Sequence, residues 1–437
     1  MPNCTTSAMN FSPLGRKKVI ASFTGGSITS DGGLLLLREV DKELQLSNKI
    51  AKLITDTRHS SYVKHSVVHM IRQRLYGLAA GYEDLNDHDL LRKDSCFQVA
   101  VSKEQELASS STLSRFENII TRRDCVELNK LLVEEFIASH KTAPRELVLD
   151  FDPTDFVLHG TQEGAHYHGY YRSFCYLPLY VFCNKQLLIA YLRPSNIDGA
   201  KHAGAILKLL VDRFRELWSQ VRIVFRCDGA FARRHILTWC ENNNIEYLVG
   251  LSQNKRNLTL AKPTLELAKS MYDSTQTKQK IFTEFSYQAN SWHTPRRVIA
   301  KVEHNRYGHN LRLVVTNKTQ SPQEIYEQDY CLRGDMENDI KQQKLDLRAD
   351  RVSSPDFMAN QFRMLLSGFA YVLFSHLSRT KLKATKFANS YCKTIRTNLI
   401  KIGAIVINNT RSIKFLLSSS FVEQELFTQL AINLESG

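Results

Sequence analysis

No apolar run in this chain approaches the roughly 18 residues that a membrane-spanning helix needs, and neither end carries a basic amphipathic tail. Both absences argue against a membrane partner. None of its nine cysteines forms a C-x-x-C pair: Cys4, Cys96, Cys125, Cys175, Cys183, Cys227, Cys240, Cys331 and Cys392 are scattered. That spacing gives no zinc signature, and the odd number fits no closed disulfide framework. The stretch Met1 to Lys18 is polar and lacks the apolar centre of a secretory signal. Together these features predict a protein of the reducing cytoplasm. No repeat or low-complexity tract is present, so the chain divides only where its hydrophobic period changes.

What is present is a long, basic, foldable chain. Its 437 residues exceed what one hydrophobic core usually supports, which predicts two or three domains. Hydrophobic residues make up 43% and charged ones 23%, as in ordinary globular proteins. The charge is less ordinary: 58 Lys and Arg against 44 Asp and Glu leave +14. Because cations beside phosphates release condensed counterions, this excess favours a nucleic acid partner.

Three regimes of period follow one another. From Asp31 to about His140 apolar residues recur at helical spacing, as in Leu35, Leu36, Val40 and Leu44, which predicts a mainly helical region. From Leu147 short apolar runs predict strands at Leu147 to Phe151, Leu177 to Phe182, Leu187 to Leu192 and Val221 to Phe225. Helices are predicted between and after them, at Ala203 to Trp218 and Arg233 to Asn243, so this part reads as an α/β sheet with both faces covered. A second strand-rich block, Ile281 to Tyr287, Arg297 to Glu303 and Asn310 to Thr316, alternates apolar and polar residues like a half-exposed antiparallel sheet. Helical spacing returns from about Ile325 through Phe374, and Arg379 to Lys401 is strongly basic.

The chemistry-bearing residues are carboxylates. In Leu147 to Asp155 a strand of period two turns Val148, Asp150 and Asp152 to one side, so either acid reaches the same site; both also fit as acids of a strand-end turn. The run Val221 to Asp228 repeats the design, ending in an acid followed by Gly229. Tyr330, Arg333, Glu337 and Lys344 follow at spacings of three, four and seven positions. At about 100° per residue they fall within roughly 60° of one another around a helix. Asp335 and Asp339 lie on the far side and are expected to be solvated. The plainer reading of Arg333 and Glu337 is an i,i+4 ion pair worth about 0.3–0.5 kcal/mol. Converging acids of this kind suit phosphoryl transfer with two metal ions about 3.5–4 Å apart.

The pattern Y-x2-R-x3-E-x6-K of Tyr330, Arg333, Glu337 and Lys344 resembles the signature around the catalytic Glu of a large group of bacterial insertion-sequence transposases of the DDE type. The phrases Asp152-Pro-Thr, His159-Gly, Gln162-Glu-Gly, His168-Gly-Tyr-Tyr, Tyr176-Leu-Pro-Leu-Tyr, Arg193-Pro-Ser-Asn and Asp346-Leu-Arg-Ala-Asp-Arg resemble more closely the 1380 group of insertion sequences. The resemblance runs from about Asp31 to Lys414. It implies an α/β fold with an RNase H-like core, catalytic and metal-binding Asp152, Asp228 and Glu337, and two Mg2+ ions, with Mn2+ as a substitute. Its D-x-T pattern favours Asp152 over Asp150. It also implies cleavage of the element's ends and joining of their 3′ ends to target DNA, on double-stranded DNA carrying terminal inverted repeats, by a homodimer. A nuclease without strand transfer and a non-catalytic DNA-binding regulator are the rival functions.

On this reading residues 1–143 form a helical DNA-binding region, 144–255 and 323–378 the two parts of the catalytic core, 256–322 a β-rich insertion, and 379–437 a basic region for DNA or dimer contacts. Tyr330, Arg333 and Lys344 are expected on DNA, as are Thr112, Ser114 and Arg115 of the helical region. Better-known relatives hold a flipped base with an aromatic of the insertion; Arg312 stands near that place here, with Trp292 and Tyr287 as substitutes. His159, His166 and His168 lack a matching Cys or carboxylate spacing and are not assigned a metal.

Overall fold

The computed structural model describes residues 8–435. Cys4 and the first seven residues of the polar N-terminal stretch lie outside them. The chain forms two compact units, one of Met1–Ile119, Asp346–Arg348 and Phe369–Gly437, the other of Ile120–Leu345 and Ala349–Gly368.

The second unit is a mixed α/β structure built on one large sheet. Its elements are α1 (Arg122–Ala138), β1 (Glu146–Pro153), β2 (Leu179–Cys183), β3 (Gln186–Tyr191), α2 (Ala203–Leu217), β4 (Arg222–Cys227), α3 (Arg234–Asn242), β5 (Glu246–Leu251), α4 (Lys255–Thr275), β6 (Gln279–Tyr287), β7 (Arg296–Asn305), β8 (Gly308–Thr316) and α5 (Arg333–Lys341). The eight strands run in the order β6-β7-β8-β5-β4-β1-β2-β3. β1, β4 and β5 are parallel, with a helix returning the chain between β4 and β5; every other neighbouring pair is antiparallel.

Alternation decides which side each residue faces. Leu147, Leu149 and Phe151 of β1 and Ile223, Phe225 and Cys227 of β4 enter one core with Leu207, Val211 and Phe214 of α2 and Ile236 and Leu237 of α3. On the opposite side Val148 and Val224 meet Leu248, Ile299, Val314, Ile325 and Tyr326. Both faces are therefore covered, as the short apolar runs predict.

The structure differs from the sequence reading in three places. The strand-rich block is not a separate sheet: β8 pairs with β5, so β6 to β8 widen the same sheet. It is preceded by a helix of 21 residues, α4, within a stretch expected to be β-rich. Asn254 starts it by accepting from the backbone N–H groups of Arg256 and Asn257, and Pro263 lies inside it. The helix expected from Ile325 through Phe374 is interrupted: wider π turns span Ile325–Tyr330 and Gln342–Asp346, and Phe357–Thr380 is a new helix.

The first unit is mainly helical through Glu117, with helices at Leu34–Leu44, Leu46–Leu53, Val67–Ala80 and Ser110–Glu117. It also holds an exposed hairpin, Met9–Leu14 with Lys17–Ala21, and a sheet of Ser27–Thr29, Ala404–Asn409 and Ser412–Leu417 that helical spacing did not foretell. Much of the basic stretch is internally engaged. Lys381 pairs with Glu43 at 3.1 Å, Lys386 with Glu423 at 2.5 Å and Lys401 with Asp31 at 2.7 Å. Arg396 donates to the carbonyls of Ala79, Leu78 and Asp346. Among the described residues no helix is long and apolar enough to cross a membrane.

Candidate active site

The site grows from the ends of two neighbouring parallel strands. Arg226 of β4 stands opposite Asp150 of β1, two residues before Asp228 and Asp152 respectively. Period two turns all four toward the side covered by the segment from Pro322 onward. The inner pair is a closed ion pair: Arg226 Nε donates to Asp150 Oδ1 at 2.6 Å and Nη2 to Oδ2 at 2.7 Å. The third arm, Nη1, donates to the Asp329 carbonyl at 2.6 Å, tying the strand to the turn before α5.

Asp152 has no such fork. Its nearest cation is Arg333, with Nη1 3.7 Å from Oδ2. The same guanidinium donates through Nη2 to Glu337 Oε1 at 3.2 Å. Burial pushes the Asp152 carboxyl up to about 7; Arg333 opposes the shift, while the charges of Asp228, Glu337 and Asp150 add to it. Burial also pushes the Asp150 carboxyl up, against the pull of Arg226.

Asp228 begins a tight turn, accepting the Ala230 N–H at 2.9 Å. The backbone beside it is crowded. A Cβ at Gly250 of β5 would stand 2.7 Å from the Tyr330 hydroxyl and 3.0 Å from the Gly229 nitrogen. A glycine is thus required for Tyr330 to reach the end of β4. Burial raises the Tyr330 phenol, and the Arg333 charge lowers it in part.

Lys344 reaches the turn after β1. Its Nζ donates to the Asp155 carbonyl at 2.8 Å, to Asp155 Oδ1 at 3.1 Å and to Thr154 Oγ1 at 3.3 Å. The structure thus brings Asp152, Asp228, Tyr330, Arg333, Glu337 and Lys344 to one region despite the π turns. It corrects one part of the helical phase: Asp335 is exposed, whereas Asp339 is buried and accepts from Gln342 at 3.3 Å. Asp339 lies within the regular helix α5 between Met336 and Ile340, both buried, so the far side is covered there and not uniformly solvated. Asp155 and Arg226, partners in these pairs, were not singled out by sequence; only the register of β1 on β4 reveals the second.

Other expected contacts are placed differently. Trp292 is 4% exposed, packed edge-on to Tyr287 with Arg296 over its ring, so it is a core residue and its indole is not presented for stacking. Tyr287 is likewise buried, and Arg312 is exposed on β8. Thr112, Ser114 and Arg115 lie on the helix Ser110–Glu117 of the first unit, capped by Ser109; Arg115 is exposed and the other two are half-buried.

The donor set suits a hard divalent cation in chemistry. Three carboxylates, those of Asp152, Asp228 and Glu337, act on one guanidinium, and hard oxygen donors of this kind are what such a cation takes. Among the described residues, however, no three acids, histidines or cysteines stand close enough to hold an ion. Arg333 instead pairs with both Asp152 and Glu337.

The family model described as transposase DDE domain, group 1, matches residues 11–436. No curated protein matches the chain. Among solved structures, a piggyBac transposase synaptic complex with hairpin DNA is similar over 93% of this chain and 85% of that one, at 12% identity and a TM-score of 0.41. A likeness that remote bears on neither fold nor chemistry here.

Proposed function

Since the chain belongs to the transposase DDE domain group 1 family, we propose that it binds the ends of an insertion sequence of the 1380 group, cleaves them and joins the 3′ ends to target DNA. The observation that carries this reading is the meeting of Asp152 and Asp228 at one end of adjacent parallel strands, under the helix bearing Glu337. The order β3-β2-β1-β4-β5, with β2 antiparallel, supports an RNase H-like core. The block β6 to β8 lies between the second acid and the third, where the resemblance puts an insertion.

Asp152, Asp228 and Glu337 would hold two Mg2+ ions, or Mn2+ in their place. Bound there, the metal supplies Lewis acidity for the attacking and leaving oxygens. Arg333 is the phosphate anchor: its fork is half-buried beside both acids and matches two oxygens at once. Lys344 holds the turn Asp152 to Asp155 against the segment after α5, which fixes where the Asp152 carboxylate points. Tyr330 wedges the same segment against Gly250. The positive net charge supports double-stranded DNA as the partner, and pairing of two copies across two ends rests on the family resemblance.

The test is a labelled duplex copied from the DNA flanking the gene, incubated with the purified chain and a target plasmid. Cleavage and joining in Mg2+, absent in EDTA, is the expected result. Cutting without joining would favour a nuclease, and binding without cutting in Mg2+ or Mn2+ a regulator.

A further inference from the structure

The turn that follows the first acid leads directly into a small three-stranded sheet outside the main one. Phe156–Val157 pairs with Ser173–Tyr176, which pairs in turn with His166–His168. The last two strands form a hairpin whose tip, Gly169 to Arg172, closes with the Arg172 N–H donating to the His168 carbonyl at 2.8 Å. Arg172 takes the left-handed conformation, φ 53°.

This hairpin carries aromatic rings that the unit leaves in water. Tyr170 is 84% exposed, Tyr167 58% and Phe174 54%. Tyr167 and Phe174 are cross-strand partners with centroids 5.7 Å apart, and Tyr170 stands edge-on to Tyr171 at 5.0 Å. Exposed rings concentrated on one hairpin are costly without an occupant. The occupant is narrowed by the surroundings. The sheet begins one residue past Asp155, the partner of Lys344, and the charges of Asp155 and Asp152 both act on the Tyr171 phenol. His168, whose ring lies 5.0 Å from that of Tyr171, has an enclosed Nδ1 with no hydrogen-bond partner among the described residues. Exposed Arg172 adds a cation at the tip. Rings, a cation and an unmet polar atom beside a phosphoryl-transfer site match the faces, phosphates and edges of nucleotides that have left the duplex stack.

We propose that the Tyr170–Tyr171 tip is a stacking platform for an unpaired nucleobase beside the scissile phosphate. This rests on the transposase reading of the neighbouring acids, and it assigns base capture to the hairpin rather than to β6–β8. Because every base offers a π face, the platform selects unpaired structure, not sequence.

The test measures binding in Ca2+, without turnover, to two probes copied from the element's end. One is fully paired; the other has two unpaired bases next to the cut. Wild type should prefer the unpaired probe. Tyr170→Ala should lose about tenfold affinity for it, in line with one lost base–aromatic contact, and change little on the paired probe. Tyr170→Phe should behave as wild type, since the ring alone stacks. An abasic site at the captured position should make wild type and Tyr170→Ala equal. Equal losses on both probes, or no loss on either, would overturn the platform. A wild-type chain that shows the preference yet never cleaves in Mg2+ would instead count against the transposase reading.

Discussion

Arg226 grips Asp150 with both Nε and Nη2, while Asp152, two residues further along the same strand, meets the Arg333 guanidinium at 3.7 Å. Two acids on one face of one strand therefore have different work. Asp150 balances a buried cation, so Asp150→Ala should cost about 3–5 kcal/mol in denaturant unfolding. Asp152→Asn should leave stability unchanged or raised, because it removes a buried carboxylate among like charges, and should abolish cleavage. A stable, inactive Asp150→Asn beside an active Asp152→Asn would reverse the two roles.

Glu337 is expected to act through its carboxylate alone. Glu337→Gln should keep the fold and DNA binding, since the side chain is half-exposed and pairs with Arg333 along its own helix. Strand cleavage in Mg2+ should fall to background. Asp335→Asn serves as the exposed control, with an expected stability change within about 0.5 kcal/mol. Asp339 cannot serve as one because it is buried. Mobility shift and end cleavage on the same preparations decide the matter: a cleaving Glu337→Gln chain removes this residue from the site.

The site was legible in the sequence where local period carries the information. Alternation along β1 and β4 puts Asp152 and Asp228 on one side, and the structure turns both toward the segment bearing Arg333 and Glu337. What period cannot carry is register between strands. That Asp150 faces Arg226 follows from how β1 slides on β4, a long-range fact. The π turns are equally hidden, since a widened turn keeps helical composition while shifting phase beyond it. Asp339 lies before that turn, inside α5, and was expected in water because period does not report that its side of the helix, shared with Met336 and Ile340, is buried. Trp292 misled in the opposite way, its place in a turn-rich stretch giving no sign that Arg296 covers it. Helix α4 was missed because Lys255 to Thr275 buries few apolar residues, so its stripe is faint.

Acid should destabilise the first unit before its carboxylates titrate. Burial lowers His88 well below its ordinary range and, with nearby Lys103 and Arg92, lowers His65 to about 4; burial lowers His69 as well. His88 is enclosed with Arg74 Nη1 3.1 Å from its Nε2, and because Arg only donates, that nitrogen must accept. Unfolding restores a pKa near 6.5, so below it the unfolded chain binds more protons and stability falls with pH. Melting followed from pH 7.5 to 5 should therefore show a falling midpoint that is shallower in His88→Gln. A midpoint flat across that window would contradict the buried neutral histidines.

The contact of Tyr330 with the backbone of β5 gives the last prediction. Gly250 leaves space for the Tyr330 hydroxyl, which would lie 2.7 Å from an added Cβ, with the Gly229 nitrogen at 3.0 Å and the Asp228 carbonyl carbon at 3.3 Å. An alanine there meets a side-chain oxygen on one side and the backbone of the Asp228 turn on the other. Overpacking of this kind costs about 1–3 kcal/mol. The displaced groups are those that aim Asp228 and Arg333, so Gly250→Ala should lose more cleavage than its stability loss explains. Deleting the hydroxyl separates the two sides of the clash. Gly250→Ala in a Tyr330→Phe background should regain part of the lost stability, because the closest contact is gone, while the backbone contact at Gly229 remains. Thermal midpoints and cleavage rates of the four chains in the cycle measure the coupling. Additive losses, with no recovery in the double variant, would mean that Tyr330 is not wedged against this glycine.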